Sequence, residues 1–233
     1  MSEVKELRIE VEGKGEVSAA IVRPAKAKWM LVLGHGAGAG MQHPFMEALA
    51  GELARVEIAT LRYQFPYIEE RRGAPDKPAV LMATVAAAVR AAAKAAPDLP
   101  LLAGGKSMGG RMSSQAAAEG MLEGVRGLVF FGFPLHPPKQ PATKRAEHLA
   151  KVNVPMLFLQ GTRDDLADLK LLKPICEELN THPRKPSVGH PRATLHVIKT
   201  ADHSFHGLKK SGRSKEEVLR ELAETTAKWV EEL

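Results

Sequence analysis

Short, continuous apolar runs alternate with segments of helical periodicity along most of this chain of 233 residues. An uninterrupted apolar run is typical of a strand buried on both faces, whereas apolar residues at helical spacing are typical of a helix. The runs lie at residues 29–33, 57–62, 100–103, 127–131, 155–160 and 193–198. The helical segments lie at 44–54, 78–96, 108–119 and 169–179, with a last helix after the capping-box pair Ser214 and Glu217. This alternation predicts the α/β fold class, with a mostly parallel central sheet covered by helices on both faces.

Two further strands are predicted at the start of the chain. Leu7, Ile9 and Val11 alternate with charged residues, as in a half-buried strand, and a second apolar segment covers residues 17–22. Glycines at positions 13 and 15 separate the two segments, which indicates a hairpin. The central sheet is therefore expected to contain about eight strands.

Size and composition limit what such a fold can be. A mass of 25.2 kDa suits one large domain, and 44% hydrophobic with 26% charged residues is an ordinary globular mixture. One cysteine, Cys176, leaves no partner for an intrachain disulfide and fits a reducing compartment. The first residues lack the apolar core of a signal peptide, and the longest apolar run, 79–89, is about half a bilayer span. We therefore expect a soluble, cytoplasmic protein with no metal site and no membrane partner.

The net charge of +6 raises the question of nucleic acid. The basic residues are scattered, no arginine-rich helix or finger spacing accompanies them, and aromatic residues make up only 5% of the chain. A solvated surface is therefore favoured over nucleic-acid binding. The same charge would help to attract an anionic substrate.

Two glycine-rich segments have alternative interpretations that involve a cofactor or a phosphate. Gly34-x-Gly36-x-x-Ala39 follows a strand, as in a dinucleotide-binding loop, and Arg62 ends the next strand, where an NADP-binding arginine could sit. The helical pattern begins only near Pro44, however, and no Tyr-x-x-x-Lys pair follows, so this interpretation is the weaker one and no cofactor is expected. Gly105-Lys106-Ser107 resembles the end of a P-loop, but Pro100 stands where that motif requires glycine.

Gly105-Lys106-Ser107-Met108-Gly109 also has the G-x-S-x-G pattern, and it lies between a predicted strand and a predicted helix. In this arrangement the serine occupies a sharp turn, and its hydroxyl projects from the edge of the sheet. Side chains at Gly105 and Gly109 would collide in so tight a turn. The pattern and its context predict that Ser107 is a nucleophile.

A serine nucleophile needs a base and an acid that orients the base, in the chain order serine, acid, histidine. His203 follows the strand that ends near residue 198, and Asp164 follows the strand that ends near residue 160, so both are expected at the same edge of the sheet as Ser107. His206 is the alternative base. Asp165 and Asp168 are the alternative acids, because a turn can shift the register of the chain.

The developing negative charge on a carbonyl oxygen needs two hydrogen-bond donors. The residue after the nucleophile, Met108, is expected to supply one backbone N–H. The glycine-rich loop after the strand at 29–33 is positioned to supply the other, with Ala37 as the donor and Gly36 giving the backbone room to approach. His35 is expected to shape this loop.

These residues resemble the α/β-hydrolase superfamily, and within it the small lidless group similar to dienelactone hydrolases. The poorly characterised hydrolase-like proteins called testis-expressed and NSL-complex subunits look most similar. The likeness rests on four motifs: His35-Gly36-Ala37-Gly38, Gly105-Lys106-Ser107-Met108-Gly109-Gly110, Leu159-Gln160-Gly161-Thr162-Arg163-Asp164 and Ala201-Asp202-His203-Ser204-Phe205. Dienelactone hydrolases proper carry a cysteine nucleophile, so dienelactone chemistry itself is not implied.

The resemblance implies that residues 1–233 form a single α/β-hydrolase domain without a cap, acting as a serine hydrolase on a small-molecule acyl substrate. The group also contains proteins that look like scaffolds, so a binding or scaffold protein is the second hypothesis. The proline-rich connection 132–153 is expected to be extended and stiff, leaving an open cleft near Phe133, His136 and Tyr67. The alternative wall for this cleft is the segment 181–192, which is predicted to be an exposed loop.

Overall fold

The computed structural model describes residues 4–181, 191–208 and 212–233, and in these ranges eight strands form one sheet. The strands are β1 Val4–Val11, β2 Gly15–Val22, β3 Trp29–Gly34, β4 Ile58–Tyr63, β5 Leu101–Lys106, β6 Val125–Phe131, β7 Met156–Gly161 and β8 Ala193–Ile198. Their order across the sheet is β1-β2-β4-β3-β5-β6-β7-β8. β1 and β2 form the predicted antiparallel hairpin, β2 pairs antiparallel with β4, and all remaining pairs are parallel. The predicted mostly parallel sheet of about eight strands is confirmed.

Six α-helices and one 3-10 helix connect the strands within the described ranges. The α-helices are α1 Pro44–Arg55, α2 Pro66–Glu69, α3 Pro78–Ala95, α4 Met108–Ala118, α5 Leu169–Thr181 and α6 Lys215–Val230, and the 3-10 helix is Lys144–Lys151. Proline opens α1, α2 and α3, where its missing N–H costs no helical hydrogen bond. The predicted capping box of Ser214 and Glu217 starts α6.

The sheet separates two apolar cores, because successive side chains of a strand point to opposite faces. In β3, Met30 and Val32 join the core beneath α3, α4 and α5, whereas Leu31 and Leu33 join the core beneath α1 and α6. α3 also has the length and hydropathy of a membrane span, with 44% of its apolar window buried inside the protein. Its contacts with α4, β1 and β3 are those of a core helix.

Two predictions about local structure are corrected. β5 continues to Lys106 rather than ending at Ala103, because Gly104 and Gly105 stay in the strand at φ +159° and +152°. A Cβ at Gly105 would lie 2.2 Å from the carbonyl oxygen of Gly34 on the neighbouring strand, so glycine is required there. The connection after β6 is not extended throughout, because its second half forms the 3-10 helix. It carries no cap domain, as predicted, whereas residues 182–190 of the predicted exposed loop lie outside the described residues.

Candidate active site

Ser107 occupies the sharp turn between β5 and α4. Its φ of +52° and ψ of −114° are strained for a residue with a side chain. Two backbone hydrogen bonds hold this turn: Ser107 N–H donates to the Phe131 carbonyl over 3.2 Å, and Arg111 N–H donates to the Ser107 carbonyl over 3.1 Å. A Cβ at Gly109 would lie 2.3 Å from the Gly34 carbonyl oxygen, which explains the second glycine of the motif. The surrounding structure therefore stabilises a conformation that presents the Ser107 hydroxyl at the sheet edge.

His203 and Asp164 extend from Ser107 as one hydrogen-bonded chain. The His203 Nε2 atom lies 2.9 Å from Ser107 Oγ, and its Nδ1 atom lies 2.8 Å from Asp164 Oδ2. His203 lies in the turn after β8, where the Asp202 carboxylate accepts the N–H groups of Ser204 and His206 at 2.9 Å each. The three predicted site residues thus come together at the carboxyl ends of β5, β7 and β8.

The Asp164 side chain is buried, with only 1% of it exposed. Leu166 N–H donates to its Oδ1 over 2.9 Å, and Gln160 Nε2 donates to its Oδ2 over 2.5 Å. Phe133 N–H donates to Gln160 Oε1, which fixes the orientation of that amide. The role of Gln160 does not follow from the sequence motifs, although a polar residue inside the apolar run before Asp164 is a signal for such a partner.

The alternative base and acids lie elsewhere. His206 has 60% of its side chain exposed, and its nearest carboxylate oxygen is on Asp202, 3.9 Å away. Asp165 is exposed. Asp168 accepts the Lys170 N–H at the start of α5 over 2.8 Å, so it caps that helix. None of these three is hydrogen-bonded to Ser107 or His203 in the part of the chain that is described.

The ammonium group of Lys106 is buried beside the hydrogen-bonded residues Ser107, His203 and Asp164. The sequence patterns do not predict this position. The Lys106 Nζ has no hydrogen-bond partner among the described residues and lies 5.5 Å from the centre of the Phe205 ring. Burial lowers the pKa of Lys106 from 10.5 to about 8, against the attraction of Asp164 and Asp202. A Cβ at Gly132 would lie 3.3 Å from this Nζ and 3.4 Å from Asp164 Oδ2. The two charges therefore lie close together on one side of Gly132.

The glycine-rich loop after β3 is held beside Ser107 by His35 and Tyr67. His35 Nδ1 lies 2.8 Å from the Gly36 carbonyl oxygen, and its Nε2 accepts the Phe65 N–H over 3.1 Å. Only a neutral imidazole has one donor and one acceptor nitrogen, so only the neutral form of His35 can make both hydrogen bonds. Burial lowers the pKa of His35 to about 4, which favours this neutral form. Tyr67 O–H donates to the Ala37 carbonyl over 2.7 Å.

The two predicted oxyanion donors flank Ser107. Met108 is the first residue of α4, so its backbone N–H has no carbonyl acceptor within the helix. Ala37 lines the same clefts as Ser107. A Cβ at Gly36 would lie 3.8 Å from the Ser107 Cβ, so this loop passes close to Ser107.

Ser107 opens into two clefts. One, of about 420 Å³, also touches His203, Phe45 and Lys106. The other, of about 490 Å³, also touches Met108, Arg111 and Arg145. Both are open at the surface, as expected for a fold without a cap.

The predicted connection does line one of these clefts, through Pro134, Pro137 and Pro138. The prediction is wrong for Phe133, His136 and Tyr67, whose side chains are all buried inside the protein. Phe133 packs against Phe130 and Phe158. His136 Nε2 accepts the Asp168 N–H, and the Tyr67 hydroxyl is bound to Ala37. The alternative wall at 181–192 falls largely on residues outside the described ranges.

Arg62 does not have the freedom that a phosphate-binding arginine needs. Its side chain is 5% exposed, donates to the Met41 carbonyl over 2.8 Å and lies 3.6 Å from Glu47. This geometry argues against the dinucleotide interpretation. Across residues 4–181, 191–208 and 212–233, no group of three His, Cys, Asp or Glu side chains could hold a metal ion.

A second serine–histidine contact joins Ser114 and His148, whose Oγ and Nε2 atoms lie 2.7 Å apart. Ser114 is completely buried, and its Oγ also donates to the Arg111 carbonyl. Burial, together with the charges of Arg111 and Lys151, lowers the pKa of His148 to about 4. Cationic neighbours disfavour the imidazolium that a general base must form, so this pair is a structural tie between α4 and the 3-10 helix.

Comparisons with known proteins agree with this architecture. The chain superposes on a dienelactone hydrolase from Anabaena variabilis with a TM-score of 0.73 and 20% identity, covering 99% of this chain and 97% of that one. It matches an alpha-beta serine hydrolase homologue from Coxiella burnetii with a TM-score of 0.72 and 19% identity, covering 98% and 97%. It matches a serine hydrolase without lid from Xanthomonas campestris with a TM-score of 0.71 and 19% identity, covering 98% and 96%.

The sequence pattern of the alpha/beta hydrolase domain family matches residues 27–231, which include Ser107, Asp164 and His203. The chain therefore belongs to the α/β-hydrolase family.

Proposed function

We propose that this hydrolase-family protein is a serine hydrolase of the carboxylesterase type, which cleaves a small ester or related acyl compound through an acyl-enzyme. The observation that carries the proposal is the continuous chain of hydrogen bonds from Ser107 through His203 to Asp164. Membership of a hydrolase family supports hydrolysis in general, and this geometry favours a serine nucleophile in particular.

In the first half-reaction, Ser107 Oγ attacks the substrate carbonyl carbon while His203 Nε2 takes the hydroxyl proton. Asp164 holds Nδ1 of the ring and stabilises the imidazolium that forms. The N–H groups of Met108 and Ala37 stabilise the negative charge on the carbonyl oxygen. When the carbon–oxygen bond breaks, His203 returns the proton to the departing alkoxide, which leaves as an alcohol.

In the second half-reaction, water attacks the acyl-Ser107 ester. His203 Nε2 takes a proton from this water and then gives it to the Ser107 oxygen as the acid is released. No metal or cofactor enters either half-reaction. The proposal assigns these steps to a single domain with a small-molecule substrate, without nucleic acid or membrane, and the single cysteine fits a cytoplasmic location.

Hydrolysis of short-chain nitrophenyl esters tests the proposal. Ser107→Ala and His203→Ala should each lower kcat by roughly 10⁴-fold or more, and the double variant should be little worse, because the two residues act as one unit. Ser114→Ala is the matched control, because it also removes a serine bonded to histidine, and it should keep the wild-type rate. If the wild type does not exceed Ser107→Ala on any ester, the scaffold hypothesis replaces the enzyme hypothesis.

A further inference from the structure

The cleft on the Met108 side of Ser107 contains two arginines from different parts of the chain. Arg111 lies one helical turn after Ser107 in α4, and Arg145 lies in the 3-10 helix after β6. Both side chains are half-buried. The fold therefore brings two guanidinium groups, far apart in sequence, to the same cleft beside Ser107.

These two positive charges have no carboxylate partner among the described residues. Arg145 Nη1 reaches only the Pro134 carbonyl, at 3.5 Å. Burial and the charge of Arg145 lower the pKa of Arg111 below its ordinary value. Two like charges in one half-buried cleft repel each other, and an anion between them would relieve this repulsion.

Asp76 also lines this cleft, but the cations paired with its Oδ1 are not Arg111 or Arg145. Its Oδ1 lies 2.8 Å from Arg72 and 3.5 Å from Lys14. The positive charge of Arg111 and Arg145 therefore remains available to a ligand.

The position of His203 indicates which part of a substrate would face the arginines. His203 lines the other cleft, and in the proposed reaction it protonates the leaving oxygen. The alcohol portion must therefore lie in the cleft with His203. The acyl portion then extends past Met108 into the cleft with Arg111 and Arg145.

We propose that Arg111 and Arg145 form an anion subsite that selects esters whose acyl chain ends in a carboxylate, that is, half-esters of short dicarboxylic acids. The planar fork of a guanidinium matches a carboxylate with two parallel hydrogen bonds. Ser107 and Arg111 are four positions apart and line the same cleft, so the subsite lies within reach of a short acyl chain attached to Ser107. This inference rests on the proposed hydrolase function and adds the class of acyl group.

Rates on monomethyl glutarate and methyl pentanoate test the subsite, because the two esters have acyl chains of equal length and differ in terminal charge. The wild type should prefer the glutarate ester in kcat/KM by about tenfold or more. Arg111→Met and Arg145→Met should each abolish most of this preference, measured as the ratio of kcat/KM on the two esters. Arg90→Met, which removes the same charge from an exposed position on α3, should keep the preference.

The failures of the two proposals are distinguishable. If methyl pentanoate is hydrolysed but the glutarate ester has no advantage, the subsite is wrong and the hydrolase function stands. If Lys215→Met, in the other cleft, removes the preference and the arginine variants do not, the carboxylate binds on the other side and the inference is overturned.

A binding measurement keeps the subsite testable without turnover. Calorimetric titration of Ser107→Ala with monomethyl glutarate should show binding that weakens at least about tenfold when Arg111→Met is added. Equal affinity with and without Arg111→Met would contradict the subsite whatever the activity of the wild type.

Discussion

Gln160 Nε2 lies 2.5 Å from Asp164 Oδ2, the same oxygen that faces His203 Nδ1. Asp164 Oδ2 thus accepts one hydrogen bond from Gln160 in the preceding strand β7 and a second from His203, the proposed base, in the turn after β8. The other oxygen accepts the Leu166 N–H. These contacts leave the carboxylate a single orientation, which in turn fixes the His203 ring toward Ser107.

Replacing this carboxylate tests its proposed role. Asp164→Asn should lower kcat by roughly 10⁴-fold with little change in the fold, because the amide favours the wrong tautomer of His203. Steady-state ester kinetics together with a circular dichroism spectrum measure both parts. Asp165→Asn, at an exposed neighbouring position, is the control and should keep its activity. Loss of activity in Asp165→Asn alone would show that the acid is misassigned.

Lys106 should destabilise the protein at neutral pH. Its pKa is lowered from 10.5 to about 8 in the folded state, so the unfolded chain binds more protons between these values, and the free energy of unfolding rises with pH across this window. At pH 7 the buried charge costs up to about 3 kcal/mol. Lys106→Met should therefore be more stable than the wild type in denaturant at pH 7, with the difference shrinking toward pH 10.5.

Lys94→Met provides the control for this comparison, because Lys94 is exposed on α3 and its loss should change stability little at either pH. A Lys106→Met variant that is destabilised by the same amount at pH 7 and pH 10 would refute the argument. Such a result would mean that Lys106 does not carry a costly buried charge in the folded protein.

His35 should make the fold sensitive to acid. Burial lowers its pKa from 6.5 to about 4, so the unfolded chain binds the proton first, and the free energy of unfolding falls as the pH drops through this range. The contribution is up to about 3 kcal/mol. His35→Gln, which keeps an acceptor for the Phe65 N–H, should lose less stability between pH 6.5 and pH 4 in urea titrations.

His206→Gln, at an exposed position, should follow the wild-type stability curve. If His35→Gln follows it as well, His35 does not carry a buried neutral ring. His148 adds to the same acid dependence, since burial and its cationic neighbours also lower its pKa to about 4.

Long acyl chains should gain little in this protein. The two clefts beside Ser107 are open at the surface, so a bound acyl chain stays partly in water and each methylene gains less than the roughly 0.8 kcal/mol of full burial. We expect kcat/KM to be highest among short acyl groups in a series of acetyl, butyryl, octanoyl and palmitoyl esters. A maximum at the palmitoyl ester would contradict this prediction.

The sequence predicts the architecture and the proximity of Ser107, Asp164 and His203, because both depend on the order of strands and turns along the chain. Parallel strands end at one edge of the sheet, so a residue that directly follows a strand is placed there by topology alone. The three side chains do lie in hydrogen-bond contact, while their catalytic roles remain predictions.

Features that depend on side-chain direction were not predictable in this way. The register of β5 aims Lys106 toward Asp164, and the 3-10 helix brings Arg145 to Arg111, but neither direction follows from local periodicity. Sequence position predicts Phe133, His136 and Tyr67 near the cleft, yet their hydrogen bonds and packing turn these side chains inward.

Labelling with a fluorophosphonate, followed by mass mapping of the adduct, tests the central claim most directly, because this reagent reacts with serine hydroxyls that a neighbouring base activates. The account predicts one adduct per chain, located on Ser107, absent from Ser107→Ala and strongly reduced in His203→Ala. Ser114→Ala should be labelled like the wild type. An unlabelled wild type, or an adduct on any other serine, would contradict the assignment of Ser107 as the nucleophile.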